Sequence, residues 1–439
     1  MTSGVDGLIS GMDTTALISQ LMQAESAPQQ QLKNSVTSNQ SAISAYQSIN
    51  GKFLTALTAA KAMSGDDPLT APTNAWRSAK ATSTSSTVTA TATAGATPGT
   101  LTFNVDRLAA AQMSTSVVNP AGPLTTGSGL DITVGGGTPV HVNVTTDTPQ
   151  GVADAINAAG VGVRASIVTT DQGTVLQLNA AKTGTAGGFT VGGLATPPTT
   201  AVQAADARIT VGDPTKGGYT VSSPTNTFSG VLQNVTLTVS KVETGASVTV
   251  DSDADGIAGK MQAMVDALNG VLSEIGKYAT YNTATKTGGP LTADSLTRGL
   301  QQKILSQISN GAAGYGSFSK LGVELDQGGK LTFDKTAFVS AYQADPAAVE
   351  KTAGALAVAV KGVAEKVTNS TDGSLTQAIK GRTDTVRDLN NRISEWDVRL
   401  SARQAALQKQ FATLETTLGK LKEQSNWLSG QISSLPSAS

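Results

Sequence analysis

The chain of 439 residues contains no cysteine and a single histidine. These two scarcities exclude thiolate nucleophiles, disulfide scaffolds, iron–sulfur clusters, Cys-ligated zinc and His-rich metal sites within one chain. A Ser-His-Asp triad would have to use His141. Its segment, Pro139-Val140-His141-Val142-Asn143-Val144, alternates valine with polar residues, which puts the imidazole on the polar face of a strand in a structural or solvated role. Charge is scarce as well, at 14% against about 25% in an average soluble domain. Lys+Arg (31) and Asp+Glu (32) cancel to −1, so the electrostatic footprint of a nucleic-acid binder or a polybasic membrane-surface protein is missing. Aromatics at 4% leave little for stacking platforms or cation cages. No window approaches the roughly 18 apolar residues of a membrane span, so no membrane insertion is expected. The first seven residues lack a basic n-region, and the apolar stretch after them is broken by Ser10, Gly11, Asp13 and Thr14. A cleaved Sec leader is therefore not expected, and a chain without cysteine suits passage into an oxidising space.

What fills the composition is Thr, Ser, Ala, Gln, Asn and 46 Gly, residues that favour turn-dense β structure. The length predicts roughly two to four domains. Helical periodicity marks both ends. Leu8, Ile9, Met12, Leu17, Ile18, Leu21 and Met22 form one amphipathic piece, with Asp13 or Thr14 as N-cap, and Pro28 interrupts the run after it. From Leu32 a stripe continues through Val36, Asn39, Ile43, Tyr46, Asn50, Phe53, Leu57 and Ala60 at alternating spacings of four and three, a heptad seam in which the two asparagines specify register or partner number. At the other end Val386, Ile393, Leu400, Leu407, Leu414, Leu421, Leu428 and Leu435 recur at every seventh position. Their partner row, Leu389, Trp396, Arg403, Phe411, Leu418, Ser425 and Ile432, slips from three residues after the first row to four, so the seam drifts around a helix of about 75 Å. So long an apolar stripe requires a cover.

The middle reads as strands. Thr82 to Thr93 and Leu101 to Val105 alternate, and 130–134, 140–145, 161–169 and 174–179 flank a helix that starts at Thr148-Pro149 and stops at Gly160. Thr183 to Thr200 reads as a loop or interdomain hinge, and strands return at 207–211, 219–221, 231–240 and 246–250. Helices follow at 257–275, 295–308, 334–343, 346–368 and from 374 onward, with a hairpin over 321–333. The fold class expected is α+β multidomain, a helical stem with terminal coiled-coil helices and two inserted β-rich head domains. The expected domains, named leg and heads after the family resemblance described below, are 1–45 pairing with 405–439, a leg of 46–72 plus 253–404, a head of 73–120 plus 201–252, and a second α+β head over 121–200.

Asp251-Ser252-Asp253-Ala254-Asp255-Gly256 matches the first half of a calcium loop, but Gln262 stands where a bidentate Glu is needed and a strand precedes it. It reads as an acidic cap on the helix that follows. Gly135-Gly136-Gly137 and Gly127-Ser128-Gly129 have no following Lys-Ser/Thr and are not phosphate loops. These residues single out no catalytic, cofactor-binding or metal-binding site.

The segment Gly4 to Pro28, with its G-x-x-S-G-[LM]-D-like start at Gly7-Leu8-Ile9-Ser10-Gly11-Met12-Asp13 and a helix ending Gln23-Ala24-Glu25, resembles the opening of the bacterial flagellar filament-capping proteins, the FliD family. So do Trp76 to Ser83, Gly99 to Ala109, Gly329 to Asp334, Gln410 to Glu415 and Gln424 to Leu428, in the order the family has them. The resemblance implies a secreted homo-oligomer, a closed ring at the filament tip, exported without a cleaved leader, that promotes flagellin insertion and prevents its leakage. It implies flagellin, the hook–filament junction protein and an export chaperone as partners, no nucleic acid, and that the protein is no enzyme. The contact residues expected with flagellin or neighbouring subunits are Leu17, Leu21, Leu32, Val36, Ile43, Leu407, Phe411, Leu414, Leu418, Leu421 and Leu428. The alternative is another axial subunit, a flagellin or a hook–filament junction protein, which would polymerise without closing.

Overall fold

The computed structural model describes residues 11, 13–65, 74–311 and 316–433. Leu8, Ile9, Met12 and Leu435 of the two terminal stripes lie outside the described residues. The first element is a single helix, α1 (Thr14–Ser64). Asp13 caps it, its Oδ1 accepting from the Ala16 amide at 2.7 Å. Contrary to the expected break, the helix runs through Pro28. The proline removes the donor owed to the Ala24 carbonyl, but both residues are exposed, where water can replace it. Nor is the seam the one read from the sequence throughout. Beyond Ala42 the fully buried positions are Ala45, Tyr46, Ile49, Phe53, Ala56, Ala60 and Met63, while Asn50 and Leu57 are only half-buried. The helix there packs within a bundle, whose neighbours cover a wider arc than one coiled-coil partner.

Among the described residues fifteen strands and one α-helix follow. They are β1 (Ala79–Ser83), β2 (Val88–Ala92), β3 (Gly99–Arg107), β4 (Met113–Val117), β5 (Gly129–Val134), β6 (Val140–Asn143), α2 (Pro149–Ala159), β7 (Val163–Thr170), β8 (Gly173–Ala180), β9 (Phe189–Gly192), β10 (Thr199–Val202), β11 (Ala207–Val211), β12 (Tyr219–Ser223), β13 (Thr227–Ser229), β14 (Val235–Val239) and β15 (Glu243–Ser252). They build two sandwiches with separate cores. In the first, the antiparallel sheet β1-β15-β3-β11-β12 faces β13-β14-β2. Leu101, Phe103, Val105, Ile209, Phe228, Leu237, Val248 and Val250 fill it from alternate positions. In the second, β10-β4-β8-β7 and β6-β5-β9 enclose Leu130, Ile132, Leu176, Leu178 and Phe189, with Val152 and Ile156 of α2. The α2 cap is as the sequence predicts: Thr148 Oγ1 accepts from the Gly151 amide at 3.1 Å and Gly160 ends the helix at φ 62.

Three readings change. The alternating run from Thr82 to Thr93 is two strands in different sheets, because Ser85 Oγ (2.7 Å) and Thr87 Oγ1 both donate to Glu243 Oε2 and bend the chain there. Those bonds, Thr87 first and Ser85 second, hold the Glu243 carboxyl below its usual range. The stretch Thr183 to Thr200 is not a plain loop: it carries β9 and the first part of β10, which pair with β5 and β4. Phe189 and Val191 are buried between exposed Thr190 and Gly192, a period too short to read among glycines and prolines. Finally, β4 over 113–117, placed by the sequence in the first head (73–120), pairs with β8 and β10 in the second sandwich.

The chain then returns to helices and two short hairpins: α3 (Ala254–Ala279), β16 (Tyr281–Asn282), β17 (Thr287–Gly288), α4 (Ser295–Ser309), β18 (Val323–Leu325), β19 (Leu331–Phe333), α5 (Lys335–Ala344), α6 (Pro346–Thr368) and α7 (Ser374–Ser433). Two compact units result, a helical one within 1–64, 261–341 and 347–439, and a β-rich one within 65–260 and 342–346. In the helical unit, Phe53 and Ala56 of α1, Leu268 of α3, Ile304 of α4 and Val360 and Ala364 of α6 line one small apolar crevice, so four helices converge on a common core. Asn269 of α3 clips the hairpin to it, donating to the Leu331 carbonyl and accepting from the Leu331 amide, both at 2.8 Å.

Candidate functional site

α1 and α7 run antiparallel. Four hydrogen bonds fix the register: Arg403 Nε donates to Glu25 Oε1 at 2.9 Å, Gln29 Nε2 to Asp397 Oδ1 at 2.6 Å and to the Ile393 carbonyl at 3.3 Å, and Arg382 Nη1 to Asn39 Oδ1 at 3.1 Å. The zipper thus joins 25–39 of α1 to 382–403 of α7. On α1 the covered positions are Thr14, Ile18, Met22, Glu25, Gln29, Leu32, Val36, Asn39 and Ile43, and on α7 they are Arg382, Val386, Leu389, Ile393, Trp396, Leu400, Leu407, Phe411, Glu415 and Leu418. Both stripes recur at three and four, as a two-helix seam requires, apart from one seven-residue step from Leu400 to Leu407. Thr14, Ile18, Gln29, Leu389, Leu407 and Glu415 are buried, and the rest are half-covered. Asn39 fulfils the register role read from the sequence, since its carbonyl oxygen is where Arg382 docks.

A polar knot anchors the inner end of this zipper. The Tyr46 hydroxyl donates to Asp294 Oδ2 at 2.7 Å, Asp294 Oδ1 caps α4 by accepting from the Thr297 amide at 2.9 Å, and the Arg382 guanidinium lies 5.5 Å from the Tyr46 ring centroid. Burial pushes the Tyr46 hydroxyl up, and the bond to Asp294 adds to it. For Asp294 burial pulls upward, yet the Thr297 amide and the Tyr46 hydroxyl together hold the carboxyl below its usual range.

Of the expected contact residues, Leu32, Val36, Ile43, Leu407 and Phe411 lie in the α1–α7 seam. Leu17 and Leu21 do not; they are exposed (39% and 41%) on the free side of α1, one position off the Ile18 and Met22 stripe. Past Phe411 the cover thins: Glu415 (7%) is the last buried position of α7 among the described residues. Leu418 is half-buried, while Leu414, Leu421 and Leu428 are 42%, 55% and 54% exposed. Ile432 (62%) and Trp427 (67%) widen this bare face. The sequence offered Ile432 in the partner row, but Trp427 only as part of the tail motif; its place one residue before Leu428 was the available signal.

The acidic turn at Asp251 to Gly256 serves as the cap for α3: Asp253 Oδ1 accepts from the Gly256 amide at 2.9 Å, and a Cβ on Gly256 would lie 2.2 Å from Asp253 Oδ2. Among the described residues no group of three or more His, Asp and Glu side chains is disposed to hold a metal ion. His141 is exposed on β6 with its Nδ1 2.8 Å from Asp131 Oδ1, the solvated position its alternation predicts. No described helix is long and apolar enough to cross a membrane.

Residues 204–423 match the family described as flagellar hook-associated protein 2 C-terminus, residues 10–112 the corresponding N-terminus, and residues 129–182 the flagellin hook IN motif. The lateral flagellar hook-associated protein 2 of Vibrio parahaemolyticus is 26% identical over 287 residues, 62% of this chain and 63% of that protein. The B-type flagellar hook-associated protein 2 of Pseudomonas aeruginosa is 25% identical over 475 aligned residues, 99% of this chain and 98% of that protein. In fold, the chain is similar to the crystal structure of the D1-D2-D3 domains of the flagellar cap protein FliD from Escherichia coli, with a TM-score of 0.55 and 24% identity, covering 77% of this chain and 99% of that one.

Proposed function

Since the chain belongs to the flagellar hook-associated protein 2 family, a structural family of the flagellum, we propose that it caps the growing filament. In this reading it is secreted without a cleaved leader, closes into a ring of identical subunits at the filament tip, promotes insertion of flagellin and keeps it from leaking away. The two β sandwiches are the heads and the helical unit is the leg. The hook–filament junction protein and an export chaperone are the further partners. No catalytic step is involved.

The observation that carries the reading is the bare stripe on α7, Leu414, Leu421, Leu428 and Ile432 with Trp427, which continues a covered seam into solvent. An apolar face of this length on an exposed helix marks a contact surface, and flagellin or a neighbouring subunit is the cover we assign to it. Leu17 and Leu21 on α1 extend the same contact. The test is a strain lacking this protein: flagellin should accumulate in the medium as monomer and swimming should stop, and normal filaments would reject the reading. Negative-stain images of the purified protein should show small closed rings; long fibres would point instead to a filament subunit.

A further inference from the structure

The second β sandwich hangs from the first by two chain passes, 108–112 and 203–206. They run side by side, Ala110 and Ala205 pairing as an antiparallel bridge with backbone bonds of 2.8 and 3.1 Å. Such a neck is ordinarily a hinge, because motion between cores is the default unless a large apolar interface joins them. Here polar bonds cross the neck from both sides. Asp206, the last residue of the returning pass, accepts through Oδ1 from the Thr185 amide at 2.7 Å, and its two carboxylate oxygens lie 3.1 and 3.0 Å from Thr185 Oγ1. Thr185 opens a short turn of the second sandwich. The backbone carbonyl of the same Asp206 accepts from Arg107 Nε of β3 at 2.8 Å. One residue is therefore held by both sandwiches.

Further contacts close the gap around it. Thr183 Oγ1 of the second sandwich donates to the Pro224 carbonyl, in the β12–β13 loop of the first, at 2.7 Å. Buried Gly184, at φ +86, lies so close that a Cβ there would sit 2.7 Å from Pro224 and 2.8 Å from Asp206 Oδ1. On the outgoing pass the Ala109 amide donates to Asn226 Oδ1 at 2.7 Å, and the buried Gln112 amide group makes a two-way pair with the Phe189 backbone at 2.7 and 2.9 Å. Each pass is thus bonded to the sandwich on either side of it.

We propose that this neck is a lock that makes the two sandwiches one rigid arm, with Asp206 as the residue that closes it. Hydrogen bonds to an ionised carboxylate are the strong ones, and several arranged around a neck this short remove its torsional freedom. The absence of cysteine permits a direct test. Thr91→Cys on β2 and Asp171→Cys in the β7–β8 turn, both exposed positions, place one spin label on each sandwich of the full chain. Pulsed dipolar spectroscopy should give one narrow distance peak. Asp206→Ala should lose that peak to a broad distribution, and so should the pair Thr183→Val with Thr185→Val, which removes side-chain bonds from the opposite side and serves in its place if Asp206→Ala does not fold. Asp213→Ala, in an exposed local turn, should leave the peak unchanged. A broad distribution in the parent chain, or a narrow peak that survives the Asp206 and threonine variants, would overturn the lock.

Discussion

The two halves of α7 carry one sequence pattern and meet different fates. From Arg382 to Glu415 the stripe has cover, and Leu389, Leu407 and Glu415 are buried; Leu414, Leu421, Leu428 and Ile432, in the same recurrence, stand in solvent. A heptad stripe therefore specifies that a face will be covered, but not by what. The first half finds its cover within the chain, and the second half is where the proposed partners attach.

The strongest way to test this contrast is to remove the bare half. Deleting 420–439 should leave both β sandwiches and the four-helix core folded, with circular dichroism showing only the helix lost, while swimming is abolished in a strain that depends on this chain. Normal motility would mean that the uncovered stripe has no role in assembly. A finer comparison sets Leu389→Ala against Leu421→Ala. Burial differs, so the first should cost about 2 kcal/mol, the low end for a buried leucine because only two helices enclose it, and the second should stay within about 0.5 kcal/mol. Urea titration measures both, and equal losses would mean that α7 is covered at Leu421 in solution.

A smaller effect should come from the polar knot at the inner end of the covered half. Tyr46→Phe removes the O–H that Asp294 accepts, which should cost about 1 kcal/mol near neutral pH, reduced from the usual value for a charged acceptor because Asp294 is half-exposed. The folded carboxyl titrates below its ordinary 3.8. Its contribution is therefore complete above that value and fades as pH falls through the lowered one, so the difference between parent and variant should shrink in acid. A difference that is constant from neutral pH into that range would assign the loss to packing. The smallest effect belongs to Glu25 and Arg403, whose pair is half-exposed. A double-mutant cycle should return roughly 0.2–1 kcal/mol, falling with added salt.

The local elements were legible wherever one periodicity ran long enough. The α2 boundaries followed from Thr148-Pro149 and Gly160, the acidic turn at Asp253 was recognisable as a cap once Gln262 failed as a ligand, and both terminal stripes were visible as threes and fours. Legibility failed where a local signal competed with a distant partner. Pro28 marked a break that does not occur, because a proline at an exposed helical position only hands one carbonyl to water. The run from Thr82 to Thr93 gave no sign of the carboxylate of Glu243, more than 150 residues later, that divides it.

Within the candidate site the same division holds. By itself the sequence determined that Leu407, Phe411, Leu414, Leu421 and Leu428 share one face of a long helix, since side-chain direction on a helix depends only on spacing. It also determined that no thiol or His-rich site exists, since that is a matter of inventory. Only the tertiary structure decided where cover ends, because that point depends on the antiparallel register between α1 and α7, set by Glu25 with Arg403 and Asn39 with Arg382 across more than 340 residues. It likewise decided that Leu17 and Leu21 face outward rather than into the seam: a shift of one residue turns a side chain by about 100° on a helix, and hydrophobicity alone does not say which of two adjacent apolar rows, Leu17 and Leu21 or Ile18 and Met22, a partner will take.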